Sequence, residues 1–398
     1  MLENKKIILG VCGGIAAYKA VELLRLLTKA GADVHVIMTR AAQEFLTPLT
    51  FQTLSSNPVH TDLFNLIAER EIGHISLADM ADLFIIAPAT ANIIGKIAAG
   101  IADDMLTTTV MATKAPVLIA PAMNVNMFTN PIYQENESKL QRMGYLFEAP
   151  VSGSLACGWE GQGKLAAPEA IFEGAIAALT KKDLTGRTIL ITAGPTREEI
   201  DPVRFISNHS SGKMGYALAR AAHLRGARVL LISGPTALAK PDGVRVIKVA
   251  SALEMQHEVM TRVTECDVVI KAAAVADYRP VERKNTKIKK NDESVTMELV
   301  KNPDILADLG KMIQRPFLVG FAAETDALLE NALKKLDAKN LDMLVANDVS
   351  QADAGFNVDN NRALLLFRDG SSCECDLMSK DQLAGTILDQ VVARLEQG

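Results

Sequence analysis

The sequence contains no apolar run near the ~18 residues that a bilayer-spanning helix needs, which excludes a transmembrane segment. It also lacks an excess of either charge: 42 Lys and Arg stand against 47 Asp and Glu, for a net charge of −5. That balance gives no electrostatic reason to expect nucleic acid or an anionic membrane as a partner. Cysteine is sparse, with five residues at positions 12, 157, 266, 373 and 375. Such an odd, scattered set builds no disulfide framework and suits a reducing cytoplasm. Cys373 and Cys375 form a C-x-C, but no second Cys or His pair accompanies it, which disfavours zinc. Two phosphate-binding signatures are missing as well. The first glycine turn reads CGGIAA rather than G-x-G-x-x-G, and the second strand closes on Thr39–Arg40 with no acidic residue, so NAD is disfavoured. Near the middle of the chain, Ser207 stands where a Walker loop needs its first glycine, and Met214 follows Lys213.

What is present is ordinary globular material: 398 residues, 48% hydrophobic and 22% charged, enough for two or more domains. Lys5–Ala17 resembles a signal peptide in part, yet Gly13–Gly14 interrupt it and an amphipathic helix follows, so it reads as strand–turn–helix. Lys6–Val11 is the strand. Ala17, Ala20, Val21, Leu24 and Leu27 recur at helical spacing, Gly31 closes the helix, and Asp33–Met38 alternates as a second strand. This β–glycine loop–α–β opening predicts a doubly wound parallel sheet, with a phosphate site possible at Gly13, Gly14 and Thr39. Further strands are expected at Leu83–Pro88 and Pro116–Ala120, ending in Thr90 and Asn92 and in Asn124. Those polar residues sit where open α/β sheets bind ligands. His74 precedes the third strand and reads as either a packing or a catalytic histidine. Cys157, in a glycine-rich loop with the only tryptophan, is either a reactive thiol or a bystander.

A polar, charged stretch, Thr180–Arg187, marks a boundary, giving domains 1–182 and 187–398. The second half repeats the plan. Strand Thr188–Thr192, helix Lys213–Arg225 and strand Arg228–Ile232 echo the first unit, and a buried strand from Cys266 runs on to Asp277. Between the first strand and its helix hangs Ala193–Gly215, a loop rich in Gly, Pro, Ser and Asn. Loops of that length are usually functional. Gly194, Gly212 and Gly215 would let backbone approach an anion at the helix start. Arg283–Lys290 is basic, either a solvated loop or a lid over a polyphosphate. Lys335 and Lys339, four apart, share a helical face as surface residues or as phosphate ligands.

Together these motifs resemble a known family, the bacterial bifunctional phosphopantothenoylcysteine decarboxylase / phosphopantothenate–cysteine ligase of coenzyme A biosynthesis. The first-half matches are GGIAAYK (13–19), GHI (73–75), APATAN (87–92), PAMN (121–124) and SGSLACG (152–158). The second-half matches are TAGPTRE (192–198), DPVRFISNHSSGKMG (201–215), AAVADYRP (273–280), KIKK (287–290), KNPDI (301–305), GFAAET (320–325), KNLD (339–342) and ANDVS (346–350). Cys12 departs from the family's usual Ser or Thr and puts a hydroxyl contact to the flavin phosphate in doubt.

The resemblance implies two tandem Rossmann-like domains. The first binds FMN, through Gly13, Gly14, Thr39, Thr90 and Asn92, and the flavin oxidises a cysteinyl thiol so that CO2 can leave. His74 would handle protons, Asn124 would hold the departing carboxylate and Cys157 would act on the intermediate. The second would use CTP, with magnesium, to activate 4'-phosphopantothenate as an acyl-cytidylate that the cysteine amine attacks. Lys287 would neutralise charge and Asn208 would position the intermediate. Lys271, Ala272, Ala273, Asp277, Lys287, Pro303, Asp304, Ile305, Leu306, Phe321, Lys335 and Lys339 match nucleotide-contacting positions. A homo-oligomer, plausibly a dodecamer of trimers and dimers, is implied too. The competing expectation is a non-catalytic flavin-binding regulatory protein, against which His74, Asn124 and Cys157 argue together.

Overall fold

The structure, a computed structural model, describes residues 2–63, 73–154, 158–288, 296–324, 328–348 and 360–396. The chain falls into two compact units, Met1–Thr180 and Lys181–Gly398. Among the described residues no helix is long and apolar enough to cross a membrane.

The first unit is a six-stranded sheet of β1 (Lys6–Val11), β2 (Asp33–Met38), β3 (Val59–His60), β4 (Leu83–Ala89), β5 (Val117–Pro121) and β6 (Leu146–Phe147). Their spatial order is β3-β2-β1-β4-β5-β6, and every pairing is parallel. Order reverses between β1 and β4, the switch point where ligands of such sheets bind. β4 and β5 are buried along their whole length, as parallel strands covered on both faces must be. The helix Ala17–Lys29 buries Ala17, Ala20, Leu23, Leu24 and Leu27. Leu23 thus joins the expected stripe, while Val21 is only half-buried. Each such fully buried leucine is worth roughly 1.5–3 kcal/mol of transfer free energy. A short antiparallel hairpin, β7 (Val151–Ser154) with β8 (Glu160–Lys164), follows the sheet.

The second unit repeats the winding. Its strands are β9 (Thr188–Ala193), β10 (Arg197–Glu199), β11 (Phe205–Ser207), β12 (Arg228–Ser233), β13 (Arg245–Lys248), β14 (Val268–Lys271), β15 (Tyr278–Pro280), β16 (Leu299–Lys301), β17 (Phe317–Glu324), β18 (Met343–Asp348), β19 (Asn360–Phe367) and β20 (Ser372–Ser379). The main sheet runs β13-β12-β9-β14-β17-β18-β19-β20. Its first six strands are parallel and wind in the same third-second-first-fourth-fifth-sixth order. β19 and β20 extend it antiparallel. Both sheets are therefore the expected doubly wound α/β kind.

Two expectations differ from the structure. The Ala193–Gly215 loop is not structureless, because β10 and β11 pair antiparallel within it. The strand begun near Cys266 stops at Lys271 instead of reaching Asp277. Beyond Lys271, backbone donors turn to other partners: Ala273 N–H to Thr192 Oγ1 (3.2 Å), Ala274 N–H to the Gly194 carbonyl (3.0 Å) and Ala276 N–H to Thr196 Oγ1 (3.0 Å).

Candidate active sites

In the first unit the sequence-expected residues gather along the carboxyl edge of four neighbouring strands. Gly13 and Gly14 follow β1, Thr39 follows β2, Thr90 and Asn92 follow β4, and Asn124 follows β5. The edges are stitched together: Cys12 N–H donates to the Pro88 carbonyl (3.3 Å) and Thr39 N–H to that of Val11 (3.1 Å). Gly13 has a steric cause, since a Cβ there would lie 2.4–2.7 Å from the side chain and backbone of Ala41. The helix after it has no side-chain cap at Ala16. Among the described residues none accepts from the amides of Gly13, Gly14, Ile15 or Ala16. This is a bare helix start of the kind that receives phosphate. Cys12 supplies nothing there: it is 1% exposed, and burial pushes its thiol up to about 12.

Thr39 Oγ1 accepts from Ala42 N–H (3.2 Å) and Thr90 Oγ1 from Ile93 N–H (3.4 Å), each capping the turn after its strand. Both hydroxyl protons remain to donate outward. Asn92 is exposed in the first turn of the helix Ala91–Ala99. Asn124 caps Val125–Phe128, its Oδ1 accepting from Asn126 N–H at 2.8 Å. His74 lies in the first turn of the helix Gly73–Met80, half-buried, and its Nδ1 is buried without a hydrogen-bond partner among the described residues. Buried polar atoms are rarely left so, and each one calls for an explanation. Cys157 lies outside the described residues. The stem of its hairpin is pinned to the loop of Asn124: Met123 N–H donates to the Gly163 carbonyl at 2.9 Å. A Cβ at Gly163 would stand 2.4 Å from the Met123 carbonyl oxygen.

In the second unit a cavity of about 240 Å³ opens at the carboxyl edge. Asn208, Lys271, Ala272, Ala273 and Phe321, all expected, line it. Asn208 is fixed by its Nδ2 donating to the Val275 carbonyl (3.0 Å). Gly212 and Lys213, at the start of the helix Lys213–Leu224, line it as well. Gly215 lines the cavity too and plays a second part. A Cβ there would meet the Ala193 Cβ at 2.5 Å, so this glycine lets helix and strand touch.

Around Lys271 stands a cluster of charges. Lys339 Nζ pairs with Asp304 Oδ2 at 2.8 Å, just past the helix Leu328–Ala338 that carries Lys335. Burial, reinforced by the charge of Lys339, lowers the Lys271 ammonium to about 8 against the pull of Asp304 and Asp277. Burial pushes the Asp304 carboxyl up, yet Lys339 and the Ala307 amide outweigh it and hold it below the usual range. Asp304 also caps the helix Ile305–Gly310. Ile305 and Leu306 are themselves core residues, 2% and 3% exposed, so only their backbone could meet a ligand. Pro303 is half-buried and Asp277 exposed. Asn302 ties their two segments together, donating its amide N–H to the Asp277 carbonyl and Nδ2 to that of Ala276, both at 2.8 Å.

Lys287 is exposed and does not line the cavity. Its segment is tied to the β10–β11 turn: Lys284 N–H donates to the Ile200 carbonyl (2.9 Å) and Ile288 N–H to Asp201 Oδ2 (3.1 Å). Asp201, 1% exposed, also accepts from the amides of Val203 and Arg204 at 2.8 Å each. Burial raises its carboxyl, but these backbone donors and Arg204 prevail and lower it. Sequence reasoning missed this aspartate, although Asp-Pro is a turn signal. It also missed Asn361 and Lys380, which line the cavity. No group of three or more His, Cys, Asp or Glu suited to a metal occurs among the described residues.

Comparison with known proteins matches residues 1–180 to the family described as Flavoprotein and residues 184–395 to the DNA/pantothenate metabolism flavoprotein C-terminal domain. The chain is 51% identical over 401 residues to the coenzyme A biosynthesis bifunctional protein CoaBC of Bacillus subtilis (strain 168), covering 100% of this chain and 99% of that one. It is 48% identical over 401 residues to the protein of that name from Escherichia coli (strain K12), covering 100% and 98%. Among solved structures, the C-terminal domain of a CoaBC protein is 45% identical over 55% of this chain and 100% of that one, with a TM-score of 0.48.

Proposed function

Because this chain belongs to the bifunctional coenzyme A biosynthesis family, with its ligase and decarboxylase activities, we propose that Met1–Thr180 decarboxylates phosphopantothenoylcysteine with FMN and that Lys181–Gly398 ligates cysteine to 4'-phosphopantothenate with CTP. The reading rests most on the unengaged amides at the carboxyl edge of the first unit and the cationic cleft at that of the second, with the unpaired Nδ1 of His74 beside them as support for an acid–base role.

The first unit fits a flavin phosphate. The amides of Gly13 and Gly14 and the bare helix start would take the phosphate, and Thr39, Thr90 and Asn92 would flank it. Bound FMN would supply the two-electron oxidation of the cysteinyl thiol, which no side chain offers. His74 would take or return a proton through its ring nitrogens. Asn124, whose Oδ1 is held by Asn126 N–H, would hold the departing carboxylate. Cys157 would act as a proton source from the hairpin.

In the second unit, Lys271, Lys335 and Lys339 would face the triphosphate, with Asp277, the backbone of Ala272–Ala273 and of Pro303–Leu306, and Phe321 around the nucleoside. Carboxylate oxygen is a poor leaving group, so nucleotidyl transfer with loss of pyrophosphate makes the acid reactive. Lys287 would neutralise the charge that develops. Asn208, its Nδ2 held by Val275, would accept from the cysteine amine through Oδ1. The described residues offer no cage for a metal, so magnesium would arrive on the nucleotide phosphates with its own waters. Exposed apolar side chains support self-association: Ile15, Tyr18 and Leu49 in the first unit, Phe205, Tyr278 and Val281 in the second. Trimers through one unit and dimers through the other would build a dodecamer. Free thiols at Cys12, Cys266, Cys373 and Cys375 accord with the cytoplasm.

The purified chain should absorb as a flavoprotein. It should release pyrophosphate from CTP only with 4'-phosphopantothenate, and CO2 only once cysteine is added. Colourless protein after incubation with FMN would overturn the first assignment, and nucleotide-independent ligation the second.

Lys271 gives this reading a pH dependence. Its lowered pKa of about 8 means the ammonium is present below that pH and lost above it. Triphosphate binding favours the charged form, so CTP affinity should be flat below pH 7 and fall by up to about tenfold per pH unit above 8. Calorimetric titration at pH 7 and pH 9 measures this, and Lys271→Met should remove the slope.

A further inference from the structure

The far wall of the ligase cavity carries polar atoms to which the reading above gives no task. Asn347 lies opposite Ala363 in the β18–β19 pairing. Asn361 is two residues from Ala363 along β19, so all three side chains stand on one face of the sheet. Ala363 shares its core cluster with Leu383 and Ala384 of the helix Lys380–Leu395. The neighbouring positions on this face are apolar, Ala363 at 4% and Leu365 at 0% exposure. Asn361 breaks that rule at 3% exposure, and its Oδ1 has no hydrogen-bond partner among the described residues. The Oδ1 of Asn347 is likewise buried and without a partner among them. A buried amide left unpaired is costly, so chains keep one where a ligand completes it.

Between Asn361 and Ala363 the β19–β20 register slips: Asn361 pairs with Met378 but Ala363 with Cys375, so the extra residue lies on β20 and β19 keeps its alternation, leaving Asn361 on the face of Ala363. Asn347 and Asn361 line the cavity together with Lys213, Lys271 and Lys380.

We propose that Asn347 and Asn361 form the specificity wall for the acid substrate, their two side-chain oxygens accepting from its secondary hydroxyl and its amide N–H. The inference deepens the ligase reading and rests on it. The phosphate and carboxylate of 4'-phosphopantothenate only accept hydrogen bonds, and Lys213, Lys380 and the amides at Gly212–Lys213 suit them, with Lys271 left to the triphosphate. Its hydroxyl and amide N–H are the groups that donate, and they match the two orphaned acceptors in number and kind. A site built to bond a substrate O–H or N–H rejects the analogue that lacks it far more strongly than an apolar pocket does.

The test is pyrophosphate release under saturating CTP and cysteine, with the natural acid and with its analogue lacking the secondary hydroxyl. The unaltered chain should show a KM for the analogue about tenfold or more above that for the natural acid. Asn347→Ala and Asn361→Ala should each raise the KM for the acid by a similar factor, leave the KM for CTP unchanged, and one of them should no longer distinguish the two acids. An unaltered chain that uses both acids equally overturns the inference without any variant, and so do variants that shift both KM values alike. If the unaltered chain releases no pyrophosphate from CTP, the ligase reading falls and takes this inference with it. Ligation without discrimination removes the inference alone.

Discussion

A His74→Ala chain is expected to release CO2 from phosphopantothenoylcysteine about 10²–10⁴ times more slowly, the usual contribution of a positioned acid–base group. CTP-driven ligation should proceed at its original rate, because His74 belongs to the first compact unit and the ligase residues to the second. Structural loss can be separated from lost chemistry. Among the described residues His74 Nδ1 has no hydrogen-bond partner, so the substitution removes none of their bonds to that atom. The helix Gly73–Met80 buries Leu77 and Ala78, not His74. The visible absorption of the bound flavin should therefore persist in the variant. Undiminished CO2 release would strip His74 of its role, and a flavin-bound unaltered chain that releases no CO2 would favour the non-catalytic regulator.

The second large effect concerns the basic segment. Lys287→Ala should lower the ligation rate about 10²–10³-fold, the cost typical of deleting a donor aimed at developing charge. Decarboxylation of supplied phosphopantothenoylcysteine should be untouched. The cause is positional. Lys287 is exposed, but the chain on either side of it is tied down, at Lys284 to Ile200 and at Ile288 to Asp201. Arg204 adds a hydrogen bond to the Ile288 carbonyl at 2.5 Å. That turn continues through β11 directly into Asn208. Stopped-flow measurement of pyrophosphate release separates the nucleotidyl step from cysteine attack, and the loss should fall on the former. Lys287→Arg should recover part of the rate, because the charge returns with different reach. Equal rates for all three chains would leave the segment as solvated surface.

Much of the scaffold was readable from residue order alone. Lys6–Val11 and Asp33–Met38 occur with the bounds the apolar pattern indicated. Here a strong local signal and the burial demanded by a parallel sheet agree. The strand after Cys266 was drawn too long because apolar residues continue to Ala276. Pattern cannot reveal that the hydroxyls of Thr192 and Thr196, some eighty positions away, capture the amides of Ala273 and Ala276. The β10–β11 pair was hidden for a similar reason: the carboxylate of Asp201 gathers the turn's amides, a tertiary arrangement in a polar stretch without periodicity. Thr90 and Asn124 could be singled out as candidates because topology fixes where strand ends point, whereas Lys271 entered only through the family resemblance. Asn361 could not. Alternation marks its position as inward but says nothing of what lies across from it.

The margins of the two sheets carry a consequence for behaviour at high concentration. The first sheet finishes at both sides in two-residue strands, Val59–His60 and Leu146–Phe147. The second finishes in Arg245–Lys248, bearing a cation at each end, and in Ser372–Ser379, with Glu374 and Asp376 exposed. Short or charged borders make poor templates for a neighbour's backbone. Backbone pairing between copies is therefore disfavoured at these borders, and self-association is expected to run through side-chain surfaces and loops.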